Sequence, residues 1–214
     1  MADTDRLIEQ LSAAATPVKR LAPPLLRALG WVLLATAVVA ALCWMRGLRP
    51  DLAARLREHE FMVSVAAAWL TGVTATGAAF ALSVPDRSRA WMFAPLPSLA
   101  LWLYGFAYGC LANWIAIPQG APLMADSMSC LRTLTYASVP LGIVLWLMLR
   151  RAKPLRSAST ALVGALAVAG FADTAHLLIN MVNPTAMVLL MNVGTSAVIV
   201  LVGALGGRRA LVPV

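Results

Sequence analysis

Residues able to carry out redox or metal chemistry are few and widely spaced in this sequence. It contains three cysteines and two histidines. One of the histidines, His176, lies three positions after Asp173. That spacing puts the carboxylate and the imidazole on one face of a helix. Thiols, imidazoles and carboxylates bind transition metals, and an accessible thiolate can be oxidised. The candidate sensing residues are therefore Cys43, Cys110, Cys130, Asp173 and His176.

Two interpretations of these residues are open at the level of sequence. In the first, they form a cluster near one face of a membrane, with Cys130 and His176 as candidate metal ligands. In the second, the cysteines are small core hydrophobes and Asp173 is a buried structural group whose partner is Arg132 on a neighbouring helix. The cysteines match no recognised ligand spacing, which favours the second interpretation.

Composition indicates a membrane protein. Hydrophobic residues make up 61% of the 214 residues and charged residues only 12%, whereas a soluble domain carries about 25% charged residues. Helices of roughly 20 apolar residues cross a hydrocarbon core of about 30 Å. We predict an all-α, polytopic fold, a six-transmembrane-helix bundle with a short N-terminal cytoplasmic tail. The tail covers 1–24, the bundle 25–207 and a cytoplasmic C-terminal tail 208–214, with spans at about 25–45, 61–84, 91–114, 127–149, 159–182 and 185–205.

The distribution of Lys and Arg predicts the orientation of the bundle. With the N-terminus inside, twelve of the seventeen basic residues lie on the inner side, in the N-terminal tail, the second and fourth loops and the C-terminus, with Arg27 at the start of the first span. Because basic residues concentrate on the cytoplasmic side, both termini are predicted to be cytoplasmic. The candidate sensing residues then lie toward the outer face.

Two patterns concern the packing of the spans. Indoles favour span ends, where the ring stays apolar and the N–H stays hydrated, and the residues so placed are Trp31, Trp44, Trp91, Trp114 and Trp146. Glycines four residues apart let helices approach closely, and they occur as Gly105 with Gly109 and Gly203 with Gly207. These pairs serve packing within one bundle or the seam of a homodimer, and we favour the first.

The first loop has a pattern of its own. Pro50 suits the first turn of a helix, and Asp51 complements the positive end of that helix. Leu52 and Leu56 are four residues apart, which predicts a short interfacial helix that connects the first and second spans.

The sequence carries no catalytic signature. It lacks a Gly-rich phosphate loop, a His-Glu-x-x-His motif and a Gly-x-Ser-x-Gly motif. We therefore predict no enzymatic activity and no cofactor. The net charge of +8 arises from short basic clusters beside apolar spans, a pattern typical of membrane topology rather than of direct nucleic-acid binding.

The N-terminal tail is the long polar segment before the first span. Leu7, Ile8 and Leu11 share one helical face, called the leucine face below. The Pro23-Pro24 pair stops a helix before the membrane. A segment this short cannot bury a core of its own, so the leucine face needs a partner or the bilayer surface.

Three pieces of the chain resemble the NrsF-type membrane anti-sigma factors, which are negative regulators of extracytoplasmic-function sigma factors of the sigma F kind. The first is the acidic, leucine-containing tail with its basic-proline linker, residues 3–24. The second and most specific is the segment Gly-Leu-Arg-Pro-Asp-Leu-Ala at 47–53. The third comprises Cys130-Leu131, Pro140-Leu141 and the Arg-Arg-Ala cluster at 150–152.

The resemblance implies roles for particular residues. In that family the tail holds the sigma factor, which here implies partner binding by Asp3, Asp5, Leu7, Ile8 and Leu11. Two outward-facing cysteines of the family are linked to release under heavy-metal or oxidative stress, and Cys130 matches the first of them. The position of the family's second cysteine corresponds to residues 180–184 of this chain, which read Asn-Met-Val-Asn-Pro and contain no cysteine. Cys110 is then a substitute partner, unless another signal is sensed.

The resulting prediction is a membrane-bound anti-sigma factor of the bacterial inner membrane. It sequesters an extracytoplasmic-function sigma factor through its tail and releases it on an envelope or stress signal. The alternative is a small transporter, or a thiol- or metal-binding membrane protein, that uses the outer Cys, Asp and His residues. A transporter needs a polar stripe through several spans, and Asp173 with His176 is only a small part of one.

Overall fold

The computed structural model describes residues 4–6, 9, 13, 22–84, 86–114, 123–151 and 157–180. Within the helices, the side chains of residues 106, 108–114, 123–130 and 157 lie outside this description. The described part of the chain is helical and contains no β-strand.

Six α-helices and one 3-10 helix make up this part of the fold. They are α1 (Pro24–Arg46), α2 (Leu52–Arg55), α3 (His59–Leu82), the 3-10 helix (Arg89–Phe93), α4 (Leu96–Trp114), α5 (Leu123–Arg150) and α6 (Ser157–Ile179). Among the described residues, four stretches are long and apolar enough to cross a membrane: Pro24–Arg46, His59–Leu82, Leu131–Arg150 and Ala158–Ile179.

The predicted spans agree with these helices to different degrees. The first, second, fourth and fifth correspond to α1, α3, α5 and α6. The third, predicted to start at Trp91, instead begins as the 3-10 helix and continues as the 19-residue α4. The sixth span, at 185–205, the pair Gly203 and Gly207, and the C-terminal tail lie outside the described residues, so the count of six stays a prediction.

The centre of the bundle is the crossing of α3 and α6. A Cβ atom added to Gly170 of α6 would lie 2.7 Å from both the carbonyl oxygen of Ala68 and the nitrogen of Gly72. A Cβ added to Gly72 of α3 would lie 2.7 Å from the ring of Phe171. The two backbones are therefore in direct contact, which only glycine permits at these positions.

Hydroxyl groups at this crossing are satisfied locally. Thr71 and Thr76 of α3 donate to the carbonyls of Ala67 and Gly72, each at 2.7 Å. Thr174 of α6 donates to the carbonyl of its own helix four residues earlier, at 2.8 Å. Because each hydroxyl bonds within its own helix, these side chains fill the small space between helices without leaving an unpaired group.

The other helices pack around this crossing. A Cβ added to Gly105 of α4 would lie 2.6 Å from the Ser64 hydroxyl of α3, and Thr74 of α3 lies 3.1 Å from the Ser98 hydroxyl of α4. Gly105 thus serves packing within one chain, as favoured from the sequence. The packing around Gly109, the other glycine of that pair, lies outside the description.

Helix α1 contacts the bundle through a single stripe. Its buried residues recur every three or four positions and are Ala28, Trp31, Ala35, Val39 and Cys43. The expectation of an interfacial indole at Trp31 is wrong, because this side chain is fully buried and packs edge-on against Phe171 at 5.5 Å. Trp31 lies on the buried stripe. Its burial is therefore decided by the face of the helix on which it lies, and not by its closeness to the end of the span. Trp44, off the stripe, is 90% exposed.

We expect Gly170→Ala to destabilise the bundle, because its Cβ would meet backbone atoms that no rotamer change can move. Overpacking of this kind costs about 1–3 kcal/mol, against a gain of about 0.5–1 kcal/mol in helix propensity. The measurement is the thermal midpoint of unfolding in detergent. The matched control is Gly77→Ala in α3, where the new Cβ meets nothing within 4 Å; equal midpoints for the two variants would contradict the close crossing.

Candidate functional site

The buried carboxylate of α6 has a partner that the sequence did not indicate. Asp173 is 2% exposed, and its Oδ2 accepts a hydrogen bond from the indole Nε1 of Trp102 in α4 at 2.9 Å. Its other oxygen, Oδ1, has no hydrogen-bond partner. The predicted pairing with Arg132 is wrong, because the Arg132 side chain is exposed on α5 while Asp173 faces the interior.

The surroundings of the Asp173–Trp102 pair are apolar. Trp102 packs with Ala67 and Ala68 of α3 and with Ala169 of α6. Trp102 lies inside the predicted third span rather than near its ends, so the preference of indoles for the interface did not single it out. A tryptophan deep in an apolar span is itself a signal, because its N–H needs an acceptor there.

His176 is also buried, but it belongs to a different set of contacts. It is 4% exposed, as expected for a polar group on the inward face of α6. Its Nδ1 lies 2.8 Å from Nδ2 of Asn180, just after the end of the helix. Asp173 and His176 therefore lie on the same face of α6, and both are buried. Asp173 contacts α4, whereas His176 contacts Asn180, the residue that follows α6.

The remaining candidate sensing residues do not complete a cluster in the described part of the chain. Cys43 is buried in the stripe of α1 that packs on the core. Cys110 lies on α4 and Cys130 on α5, and their side chains are outside the described residues. Among the described side chains, no group of three His, Cys, Asp or Glu residues is close enough to hold a metal ion. A joint metal or thiol site therefore stays a prediction.

The first loop joins α1 and α3 to the end of α6 through Arg49. The Arg49 side chain is 6% exposed and binds Asp51 with two hydrogen bonds, Nε to Oδ1 at 2.7 Å and Nη2 to Oδ2 at 2.9 Å. Its backbone N–H donates to the carbonyl of Leu178 at 3.2 Å. Its guanidinium lies 5.3 Å from the ring centre of Phe61 in α3. This end of the bundle is called the Arg49 end below.

Asp51 lies at the N-terminus of α2, where its charge is predicted to complement the helix, and it also pairs with two arginines. It occupies the position before the first residue of α2, but its side chain makes no capping hydrogen bond. The carboxylate instead contacts Arg49 and, at 3.5 Å, Arg55. The hydrogen bond from Arg49 is the main reason that the pKa of Asp51 is lowered from 3.8 to about 2. The hydrogen bond to Glu58, at 2.7 Å, is the main reason that the pKa of Arg55 is raised.

The segment 47–53, the most specific part of the family resemblance, thus has a structural explanation. Gly47 has a φ of 81°, in the left-handed region that favours glycine. This turn leads the chain back from α1 toward α6, and Arg49 then reaches Asp51 and the carbonyl of Leu178. The sequence analysis of this segment assigned no partner to Arg49, although an Arg two residues before an Asp is close enough along the chain for a local pair.

At the opposite end of the bundle, Arg27 joins the start of α1 to two other helices. Its guanidinium donates to the carbonyl oxygen of Met148 in the last turn of α5, where carbonyls lack partners within the helix. It also lies 5.1 Å from the ring centre of Phe80 in α3. This region, called the Arg27 end, is where the N-terminal tail leaves the bundle.

Between residues 4 and 13 the tail is described at five positions. Residues 4–6, 9 and 13 are helical and exposed, and this set includes Asp5 of the predicted partner-binding residues. The others, Asp3, Leu7, Ile8 and Leu11, lie outside the described residues. The helical state of the described residues fits a helix in the tail, and its amphipathic character stays a prediction.

We expect Asp51→Asn to lower the thermal midpoint of the protein at neutral pH, because Arg49 would stay buried without its anion. A carboxylate with a lowered pKa contributes its stability fully above its ordinary value of 3.8 and loses it as the pH falls through about 2. The midpoints of the wild type and the variant should therefore converge near pH 2. Asp86→Asn, at an exposed position, is the control and should match the wild type throughout. A gap between Asp51→Asn and the wild type that is unchanged at pH 2 would show that the amide disturbs the loop for another reason.

Comparison with known protein families finds a match that covers nearly the whole chain. The matching family is described as NrsF, negative regulator of sigma F, and the match extends over residues 11–212. It includes Cys43, the Arg49 segment, Asp173 and His176, whereas residues 3–10 of the tail precede it. Comparisons with curated proteins and with solved structures find no match. With its apolar helices and with a family match from residue 11 to residue 212, this chain belongs to the NrsF family of negative regulators of sigma F.

Proposed function

We propose that this protein is a membrane-bound anti-sigma factor that sequesters an extracytoplasmic-function sigma factor through its N-terminal tail. The family match over residues 11–212 is the observation that carries the proposal. The bundle sits in the bacterial inner membrane with both termini in the cytoplasm, and the tail releases the sigma factor on an envelope or stress signal. Regulation then follows from keeping the sigma factor away from DNA, which requires neither catalysis nor contact with nucleic acid.

The four apolar helices support the membrane anchor. Large apolar side chains are exposed along α1, where Leu25, Leu26, Leu29 and Leu33 are each more than half exposed. In water such a continuous apolar surface is unfavourable, whereas in a bilayer it faces the lipid chains. Arg27 lies among these leucines but points to Met148 and Phe80, so its charge is held by the protein.

The position of the tail supports its role as the binding element. Helix α1 begins at Pro24, so residues 1–22 take no part in it. The described residues between 4 and 13 are exposed helix, and a short amphipathic helix gains its stability by placing an apolar face in a groove of a partner. In this proposal the leucine face makes that contact, and Asp3 and Asp5 lie beside it.

Release requires that an outer signal change the affinity of the tail. Helix α1 is suited to link the two, because it carries the tail at the Arg27 end and the Arg49 loop at the other. Its 23 residues extend over about 35 Å. In the most apolar stretch of α1, 22% of the residues are buried, against 56% in α3 and 67% in α6. Because fewer buried contacts would be broken, α1 can shift at a lower cost in free energy than the central pair. In the proposal, a change at the Arg49 end moves α1 and thereby the tail.

Co-purification tests the proposal directly. We expect the full-length chain to retain a sigma factor from the same genome and a chain starting at residue 23 to lose it, because only the tail is removed. In the full chain, Leu7→Asp with Leu11→Asp should also abolish capture while insertion into the membrane is unchanged, since two charges would enter the apolar contact.

The matched control adds the same charge away from the leucine face. At about 100° per residue, Arg6 and Ala13 lie toward the opposite side of the tail helix. Arg6→Gln with Ala13→Asp makes the same change in net charge and should leave capture intact. Equal loss in both double variants would indicate that charge alone, and not the leucine face, decides binding. Retention of the sigma factor by the chain starting at residue 23 would remove the tail from the mechanism.

Cysteine labelling tests the orientation. Ala22 and Ala53 are exposed near the Arg27 end and the Arg49 end, respectively. In intact spheroplasts, a membrane-impermeant maleimide should label Ala53→Cys and should label Ala22→Cys only after permeabilisation. The unsubstituted chain gives the background from its three native cysteines. The reverse labelling pattern would place the tail outside the cytoplasm and contradict sigma-factor binding.

A further inference from the structure

Asp173 is unusual among the carboxylates of the apolar helices. In the ranges long and apolar enough to span a membrane, the only other carboxylate is Glu60, which lies at the second position of α3 and is exposed. Asp173 is buried, and its Oδ1 has no hydrogen-bond partner. Two other buried polar atoms, Nε1 of Trp31 and Oγ1 of Thr160, also lack a partner, but only Asp173 is ionisable. An unpartnered oxygen on a buried carboxyl group needs an explanation.

Electrostatics limits what can occupy this position. An ionised carboxylate is an acceptor with about four lone-pair sites, and here one donor, the Trp102 indole N–H, serves them. The described ion pairs and hydrogen bonds include no cation that contacts Asp173. A lone charge in such surroundings is far more costly than a neutral polar group with the same missing hydrogen bond.

We propose that Asp173 is a proton-binding site inside the bundle. A proton from the aqueous phase forms the O–H bond at Oδ1, and no electron is transferred. Trp102 holds Oδ2 in both forms and fixes the plane of the carboxyl group. The ligand is therefore the proton, and Trp102 is the positioning residue.

The neighbouring groups are compatible with this site. On α6 itself, the imidazole of His176 lies one turn further on and contacts Asn180. From α3 the cluster contains Ala67 and Ala68, and from α4 it contains Trp102 and Leu99, none of which titrates in the physiological range. From α5, the side chain of Arg132 is exposed. The side chains of Cys110, Asp126 and Cys130 are outside the described residues.

Proton binding changes the link between α4 and α6. A hydrogen bond from an N–H to a carboxylate is roughly twice as strong as one to a neutral acceptor. Uptake of the proton therefore weakens the Trp102–Asp173 hydrogen bond, and any movement that separates α4 from α6 alters proton binding in return. This site exists independently of the proposed capture of a sigma factor, and its test does not use that partner.

Isotope-edited infrared spectra of the full-length chain in lipid nanodiscs test the proposal. Spectra of protein with ¹³C-carboxyl aspartate, minus those of unlabelled protein, display the bands of protonated and ionised aspartates at each pH. We expect a carbonyl band of a protonated aspartic acid under conditions in which the exposed aspartates are ionised. This band should be absent in Asp173→Asn and unchanged in Asp86→Asn. Only carboxylate bands in the folded wild type, or a band that persists in Asp173→Asn, would overturn the proposal.

A second variant keeps the test decisive if Asp173→Asn does not fold. Trp102→Phe removes the indole donor while keeping an aromatic ring of similar shape, so the carbonyl band should move to higher frequency as its hydrogen bond is lost. Trp69→Phe, at a partly exposed position on α3, is the control and should leave the band in place. An equal frequency in Trp102→Phe and the wild type would overturn the assignment of the band to Asp173.

Discussion

The close contact of two backbones at Gly72 and Gly170 is the constraint on which the described bundle depends. In lipid, apolar side chains gain little by leaving the chains of the bilayer, so helices associate through close packing and hydrogen bonds. Helices α3 and α6 achieve this with glycine, alanine and threonine along the crossing, and the threonine hydroxyls bond within their own helices. The other helices take their positions from this pair. A larger residue at either glycine would move the surfaces on which α1, α4 and α5 pack.

Several charged or ionisable side chains of the described bundle lie where different helices meet. Arg49 ties the first loop to the end of α6, Arg27 ties the start of α1 to α5, and Asp173 ties α6 to α4. Each is a charged or ionisable group that the protein, rather than water, supplies with partners. Because these contacts join different helices, they are the positions at which a change of charge or of hydrogen bonding would alter the arrangement of the bundle.

A negative regulator of a sigma factor needs a link between its binding element and its signal. In the proposed function that link is α1, a peripheral helix with the tail at one end and the Arg49 loop at the other. The central pair α3 and α6 supplies a fixed reference, and α1 contacts it through one stripe of mostly small residues, from Ala28 to Cys43. Burial of Cys43 on that stripe means that modification of its thiol would act on the contact between α1 and the core.

The sequence alone determined the helical membrane class, the approximate positions of four spans and the family. These follow from the length of apolar runs and from local motifs such as the segment 47–53, which need no knowledge of neighbours. It also placed Asp173 and His176 on an inward face, since ionisable groups at membrane depth avoid lipid. Tertiary structure decided the partners: Trp102 rather than Arg132 for Asp173, Asn180 for His176, and a buried rather than interfacial Trp31. The physical reason is that a side chain's partner depends on which helices adjoin and how they are rotated. In this bundle the glycine contact between α3 and α6 sets both, and the pattern of hydrophobic residues in one span carries no information about either.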